Sequence, residues 1–148
     1  MKIWLDADAA PRAVREILVR ASVKRGVEMV FVANGWLENP RVPGVEVALV
    51  APGEDVADDH IVEHIDSGDL CITADIPLAA RAVEKGAMVI TPYGRILDEE
   101  AVGEALSIRD FNAELREAGV QTGGPKPFGD TAKQQFANAL DRWITKNT

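Results

Sequence analysis

The sequence predicts an α/β domain, one open and mostly parallel sheet of about five strands with helices on both faces. Two observations carry this. Short runs dense in β-branched and apolar residues alternate with segments of helical period, which is how βαβ units read. Glycine and proline gather at the boundaries between those segments. The length of 148 residues is that of a single domain spanning 1–148, enough to bury about two-thirds of the surface exposed by the unfolded chain.

The elements follow in order. "KIWL" at 2–5 is the first strand. Beyond Pro11, residues Val14, Ile17, Leu18 and Ala21 fall at i, i+3, i+4 and i+7, so 11–24 form an amphipathic helix with Pro11 in its first turn and Gly26 beyond its end. "EMVFVA" at 28–33 is the second strand, "NGWLENPRVPG" at 34–44 a loop, and "VEVALV" at 45–50 the third strand. Pro52 and Gly53 break the chain before a helix over 55–65, where Ala57, Ile61 and Ile65 stack four apart.

"GDLCIT" at 68–73 is the fourth strand, 75–86 a helix with Pro77 near its start, and "AMVI" at 87–90 the fifth strand. "TPYGRILDEE" turns and leaves room for one more short strand before a helix from Glu99 that includes Val102 and Leu106. A further helix holds Phe111 and Leu115, and a Gly- and Pro-rich segment follows it. Thr131 and Gln134 have capping-box spacing at the start of a last helix, whose stripe of Phe136, Leu140 and Trp143 is a core face.

Composition narrows the class. Hydrophobic residues make up 47% and charged residues 27%, an ordinary globular balance without a fixed repeat. No apolar leader opens the chain, and no run approaches the ~20 apolar residues of a membrane span, so a cytoplasmic protein is expected. The one cysteine, Cys71, lies in an apolar run and has no disulfide partner in the chain. A formal charge of −8 opposes nucleic-acid binding through a broad basic surface. It still allows an enzyme that meets phosphates through cations held on its own carboxylates.

In an open parallel sheet, sites form at the carboxyl ends of strands, above all where the strand order reverses. Acidic residues stand at those exits. Asp6 and Asp8 follow strand one, Thr73 and Asp75 follow strand four, and Asp55, Asp58 and Asp59 open the helix after strand three. Each has an ordinary reading when taken singly: a helix N-terminal charge for Asp6 and Asp8, an N-cap for Asp75, a solvated first turn for the third group. If strands one and four are neighbours, the groups share a crevice, and clustered carboxylates persist by binding a divalent cation or keeping a proton. Oxygen ligands without imidazole or thiolate favour Mg²⁺ or Mn²⁺ over zinc. His60 and His64 lie four apart without the intervening order of a zinc protease and read as partly exposed helix residues.

The blocks "DADAAP", "DVADDHIV", "GDLCITADIPLAA", "RDF", "GVQTGGPKPF" and "FANALDRW" resemble the bacterial YaiI/YqxD family nearly end to end. That resemblance implies a PIN-like fold, similar to metal-dependent ribonucleases. PIN nucleases place an aspartate after the first strand, an acidic residue on the helix before the fourth strand, and a "TxD" after that strand. By the resemblance these are Asp6, Asp58, and Asp75 with Thr73, while Asp8 is an extra acid of the family's own "DAD". Where the family more often has cysteine, as "DADACP", this chain has Ala10, so no thiol chemistry is expected there.

Three functions fit these residues. The first is a Mg²⁺- or Mn²⁺-dependent phosphodiesterase acting on RNA or single-stranded nucleic acid, with Asp6, Asp8, Asp58 and Asp75 as metal and catalytic carboxylates. Thr73, Arg12, Arg109 and Lys126 are its substrate-contact candidates, and Gly123 and Gly124 could offer backbone N–H groups to an anion. The second is a non-catalytic PIN-like binding module. The third is a haloacid-dehalogenase-like phosphatase with Asp6 as nucleophile and Asp8 as general acid, which Ala10 and the lack of a matching later acidic pair and lysine oppose. A homodimer enters only by analogy with other PIN-like proteins.

Overall fold

The computed structural model describes residues 1–35, 37–53, 55–107 and 128–147. Its strands are β1 (Lys2–Asp6), β2 (Glu28–Ala33), β3 (Val45–Leu49), β4 (Leu70–Ile72), β5 (Met88–Ile90) and β6 (Ile96–Leu97). Its helices are α1 (Arg12–Arg25), α2 (Val56–His64), α3 (Ile76–Glu84), α4 (99–107) and α5 (Asp130–Asn147), with a 3-10 turn at Ala7–Ala9.

The strands join in the order β3-β2-β1-β4-β5-β6. All pairs are parallel except β5 with β6, so the sheet is mixed and has six strands where about five were expected. The extra strand follows a tight turn: Gly94 N–H donates to Thr91 O at 2.9 Å, and Thr91 N–H to Arg95 O at 2.9 Å. A connection that short cannot make the crossover a parallel strand requires.

Alternation along each strand divides the core into two layers. Ile3, Leu5, Met29 and Phe31 pack with Val14 and Leu18 of α1 and with Phe136, Leu140 and Trp143 of α5. Trp4, Val30, Val32, Cys71 and Val89 pack on the opposite face with Ala57 and Ile61 of α2 and Leu78, Ala79 and Ala82 of α3. Both faces of the sheet are covered, which explains why the strands are near-continuous apolar runs.

Local chemistry sets the helix limits. α1 stops at Gly26, which takes φ 68° and donates its N–H to Ser22 O at 2.9 Å, a conformation a residue with a Cβ adopts at a cost. Pro11 stands just before α1 and not in its first turn. α3 is capped by Asp75, whose carboxylate accepts from Leu78 N–H at 3.0 Å.

The capping box at Thr131 is not formed. α5 begins at Asp130, the carbonyl of Gly129 takes the Lys133 N–H at 3.0 Å, and Gln134 donates to Asn138 instead of reaching back. Its core stripe is as expected, with Phe136 and Leu140 fully buried. The expected helix at Phe111 and Leu115 lies outside the described residues. Among those described, no helix is long and apolar enough to cross a membrane.

Candidate acidic site at the carboxyl rim

β1 lies between β2 and β4, and β4 continues the sheet away from β2 and β3. The order therefore reverses between β1 and β4, the position where an open α/β sheet leaves a crevice at its carboxyl edge. Leu5 pairs with Ile72, so Asp6 stands across from Thr73. Strands one and four are thus neighbours, and the acids at their exits face one crevice.

Asp6 is the unusual residue. It is only 8% exposed, yet it forms none of the ion pairs or side-chain hydrogen bonds of the described residues. No fully buried side-chain oxygen there lacks a partner, so this carboxylate must reach the open side of the crevice. Burial, and then the charges of Asp58, Asp8 and Asp75, push its pKa from 3.8 up to about 6.

Asp58, in the first turn of α2, is also raised, first by burial and then by Asp75 and Asp55, with Arg81 opposing. Arg81 itself pairs with Asp59 at 2.9 Å. The same field reaches Cys71 on β4, whose thiol is pushed up by burial and then by Asp6, Asp58 and Asp75. Asp75 thus bears on all three groups, Asp6 on β1, Asp58 on α2 and Cys71 on β4.

The other acidic residues have local duties. Asp8 is exposed and accepts from Asn34 N–H at 2.6 Å, tying the 3-10 turn to the exit of β2. Asp75 is the α3 cap, and its own N–H donates to the buried Thr73 hydroxyl at 3.0 Å, so Thr73 positions Asp75. The ordinary N-cap reading of Asp75 is therefore correct, and it coexists with the carboxylate's place beside Asp6. Asp55 sits at φ 63° and Asp59 is held by Arg81.

Arg12 opens α1 and is paired with Glu16 at 3.4 Å. Arg109, Lys126, Gly123 and Gly124 lie outside the described residues. His60 and His64 stack on each other at 4.2 Å between ring centroids on α2, and His64 Nδ1 lies 2.8 Å from the His60 carbonyl. They are helix-surface residues, as expected.

A hard divalent cation suits the chemistry of this donor set, which is all oxygen and centred on an unpartnered carboxylate. Among the described residues, however, no three His, Cys, Asp or Glu side chains are drawn close enough to hold a metal ion. The carboxylates act on one another through the field without forming a closed ligand shell.

Sequence reasoning missed one important acid. Asp69 falls within the expected span 68–73 of strand four, but the strand starts at Leu70, and Asp69 is buried at the sheet's opposite rim. It accepts from Lys2 N–H at 3.0 Å, Trp4 Nε1–H at 3.1 Å and Asp66 N–H at 2.9 Å. The available signal was an aspartate between Gly68 and a wholly apolar strand, a place where a carboxylate must be satisfied from the backbone.

Comparison with known proteins agrees with the resemblance. A UPF0178 protein of Desulfotalea psychrophila is 53% identical over 146 residues, covering 99% of each chain. One from Myxococcus xanthus is 51% identical over 146 residues, covering 99% of this chain and 95% of its own. One from Shewanella pealeana is 47% identical over 147 residues, covering 99% and 97%. No solved structure matches the chain. The family model described as "Uncharacterized BCR, YaiI/YqxD family" matches residues 4–146, and the chain belongs to that family.

Proposed function

We propose that this chain is a Mg²⁺- or Mn²⁺-dependent phosphodiesterase of PIN-like architecture that cleaves RNA or another single-stranded nucleic acid. The observation that carries the reading is Asp6: a nearly buried carboxylate with no cation or donor among the described residues, at the reversal point of the sheet, with Asp58, Asp75 and Asp8 around it. An enclosed charge without a partner is costly, and a bound cation removes the cost.

In this reading Asp6 and Asp75 would hold the cation, and Asp58 and Asp8 would add negative charge around it. The cation would lower the pKa of a bound water and screen the phosphodiester's charge. Thr73 keeps Asp75 oriented through the Asp75 N–H, while one oxygen of Asp75 takes the Leu78 N–H as the α3 cap. The apolar layer around Trp4 and Val32 keeps water from the inner side of Asp6.

The test is cleavage of end-labelled single-stranded RNA with Mn²⁺, comparing wild type with Asp6→Asn and Asp75→Asn. Cleavage by wild type that both variants lose is the expected result. Turnover that survives in both would overturn the residue assignment. A second reading, a binding module without turnover, draws on the open ligand shell and on the backbone duties of Asp8 and Asp75. Inactive wild type that still binds Mn²⁺ at Asp6 would select it.

A further inference from the structure

A groove of about 630 Å³ runs along α1 on the sheet face opposite Asp6's layer. Arg12, Arg15 and Arg20 form one wall, Leu37 and Pro40 the other, and Phe31 its floor. Both walls start from one point. Asp8 precedes α1, Asn34 precedes the 37–40 segment, and the Asp8 carboxylate holds the Asn34 N–H at 2.6 Å. The groove thus opens at the same rim as the acidic crevice, with Asp8 at the junction.

Charge is distributed unevenly around it. α1 carries Arg12, Arg15, Arg20, Lys24 and Arg25 against the single acid Glu16, a local excess of +4 in a chain of net −8, so the remainder carries −12. Arg25 is bound to Asp141 at 2.7 Å and Arg12 to Glu16 at 3.4 Å. Arg15 and Arg20 form none of the ion pairs of the described residues. The groove's own acids, Glu16 and Glu38, are outnumbered by its three arginines.

We infer that this groove binds the strand flanking the cleavage point of a single-stranded RNA, with Arg15 and Arg20 on consecutive phosphates and the apolar wall of Leu37 and Pro40 against the bases. Guanidinium groups beside apolar surface suit a single strand, whose phosphates and base faces are both available, whereas a duplex hides its bases. The strand would leave the groove at Arg12 and pass Asp8 to reach Asp6. The choice of RNA rests on the phosphodiesterase reading, but the groove's binding does not require cleavage.

The experiment separates the two. Fluorescence anisotropy of a labelled 12-nucleotide oligouridine is measured in EDTA, where no metal-dependent cleavage occurs. Wild type is compared with Arg15→Gln/Arg20→Gln and with the charge-matched pair Lys24→Gln/Arg25→Gln, which lies off the groove. Losing two phosphate contacts should weaken binding about 25-fold at 0.1 M salt and lower the salt slope by about 1.4. The off-groove pair should bind within about threefold of wild type, since neither side chain lines the groove and Arg25 is already held by Asp141 at 2.7 Å.

Equal losses in both pairs, no loss in the groove pair, or no binding by wild type would overturn the inference. Competition by poly-glutamate as strong as by unlabelled RNA would overturn it in favour of an acidic peptide. Wild type that binds but never cleaves would sink the phosphodiesterase reading and leave the groove standing.

Discussion

Replacing Asp6 with asparagine should make the protein more stable in the absence of divalent cations. Lifting this carboxyl from 3.8 to about 6 corresponds to about 3 kcal/mol at about 1.4 kcal/mol per pH unit. Water on the open side of the crevice screens part of that, leaving about 2 kcal/mol. Between pH 3.8 and about 6 the folded carboxyl keeps a proton that the unfolded one has lost. The contribution of Asp6 to stability therefore falls as pH rises through that window, and its full cost is present above it. Asp6→Asn removes the cost while keeping the shape.

In EDTA at pH 8, the variant should melt about 6 °C higher than wild type, and the gap should close by about pH 4. Millimolar Mn²⁺ should narrow the gap at pH 8 by stabilising wild type alone. Calorimetry or urea denaturation across pH gives the measurement. A variant no more stable than wild type at pH 8, or a gap that does not change with pH, would refute the picture of Asp6 as an enclosed, unrelieved charge.

Three further outcomes follow from the packing. Asp69→Ala leaves the Lys2 and Asp66 N–H groups and the buried Trp4 Nε1–H without their acceptor, and urea unfolding should show a loss of about 3 kcal/mol; a loss below about 1 kcal/mol would contradict that role. Gly94 has φ +86°, and a Cβ there would stand 2.6 Å from the Gln135 carbonyl carbon and oxygen, so Gly94→Ala should cost about 2 to 3 kcal/mol in thermal unfolding. A wild-type melting temperature would show that the turn and α5 do not meet so closely. Cys71 is fully buried and its thiol is pushed up by burial and nearby carboxylates; a disulfide-exchange reagent at pH 8 should modify it only at the rate of unfolding, and prompt labelling of native protein would contradict this.

The sequence by itself determined much of what is local. Its apolar runs located β1, β2, β3, β4 and β5, and its helical spacing located the buried faces of α1, α2 and α5 through Val14, Leu18, Ile61 and Phe136. It also placed acids at the strand exits, because a period of two or 3.6 residues and a boundary proline or glycine are written in neighbouring positions. Element ends moved by a residue or two, where caps such as Asp75 and Gly129 compete with continuation of the helix.

Tertiary structure alone decided which of those acids is exceptional. Asp6, Asp8 and Asp75 look alike along the chain, yet Asp8 is turned to the Asn34 N–H, Asp75 caps α3, and Asp6 is enclosed without a partner among the described residues. The placement of β1 beside β4, the enclosure of Asp69 under Lys2 and Trp4, and the line of Arg15 and Arg20 along a groove floored by Phe31 are likewise non-local. The reason is physical. The cost of a charge depends on the solvent and the other charges within a few ångströms, and folding brings those groups together from distant parts of the chain.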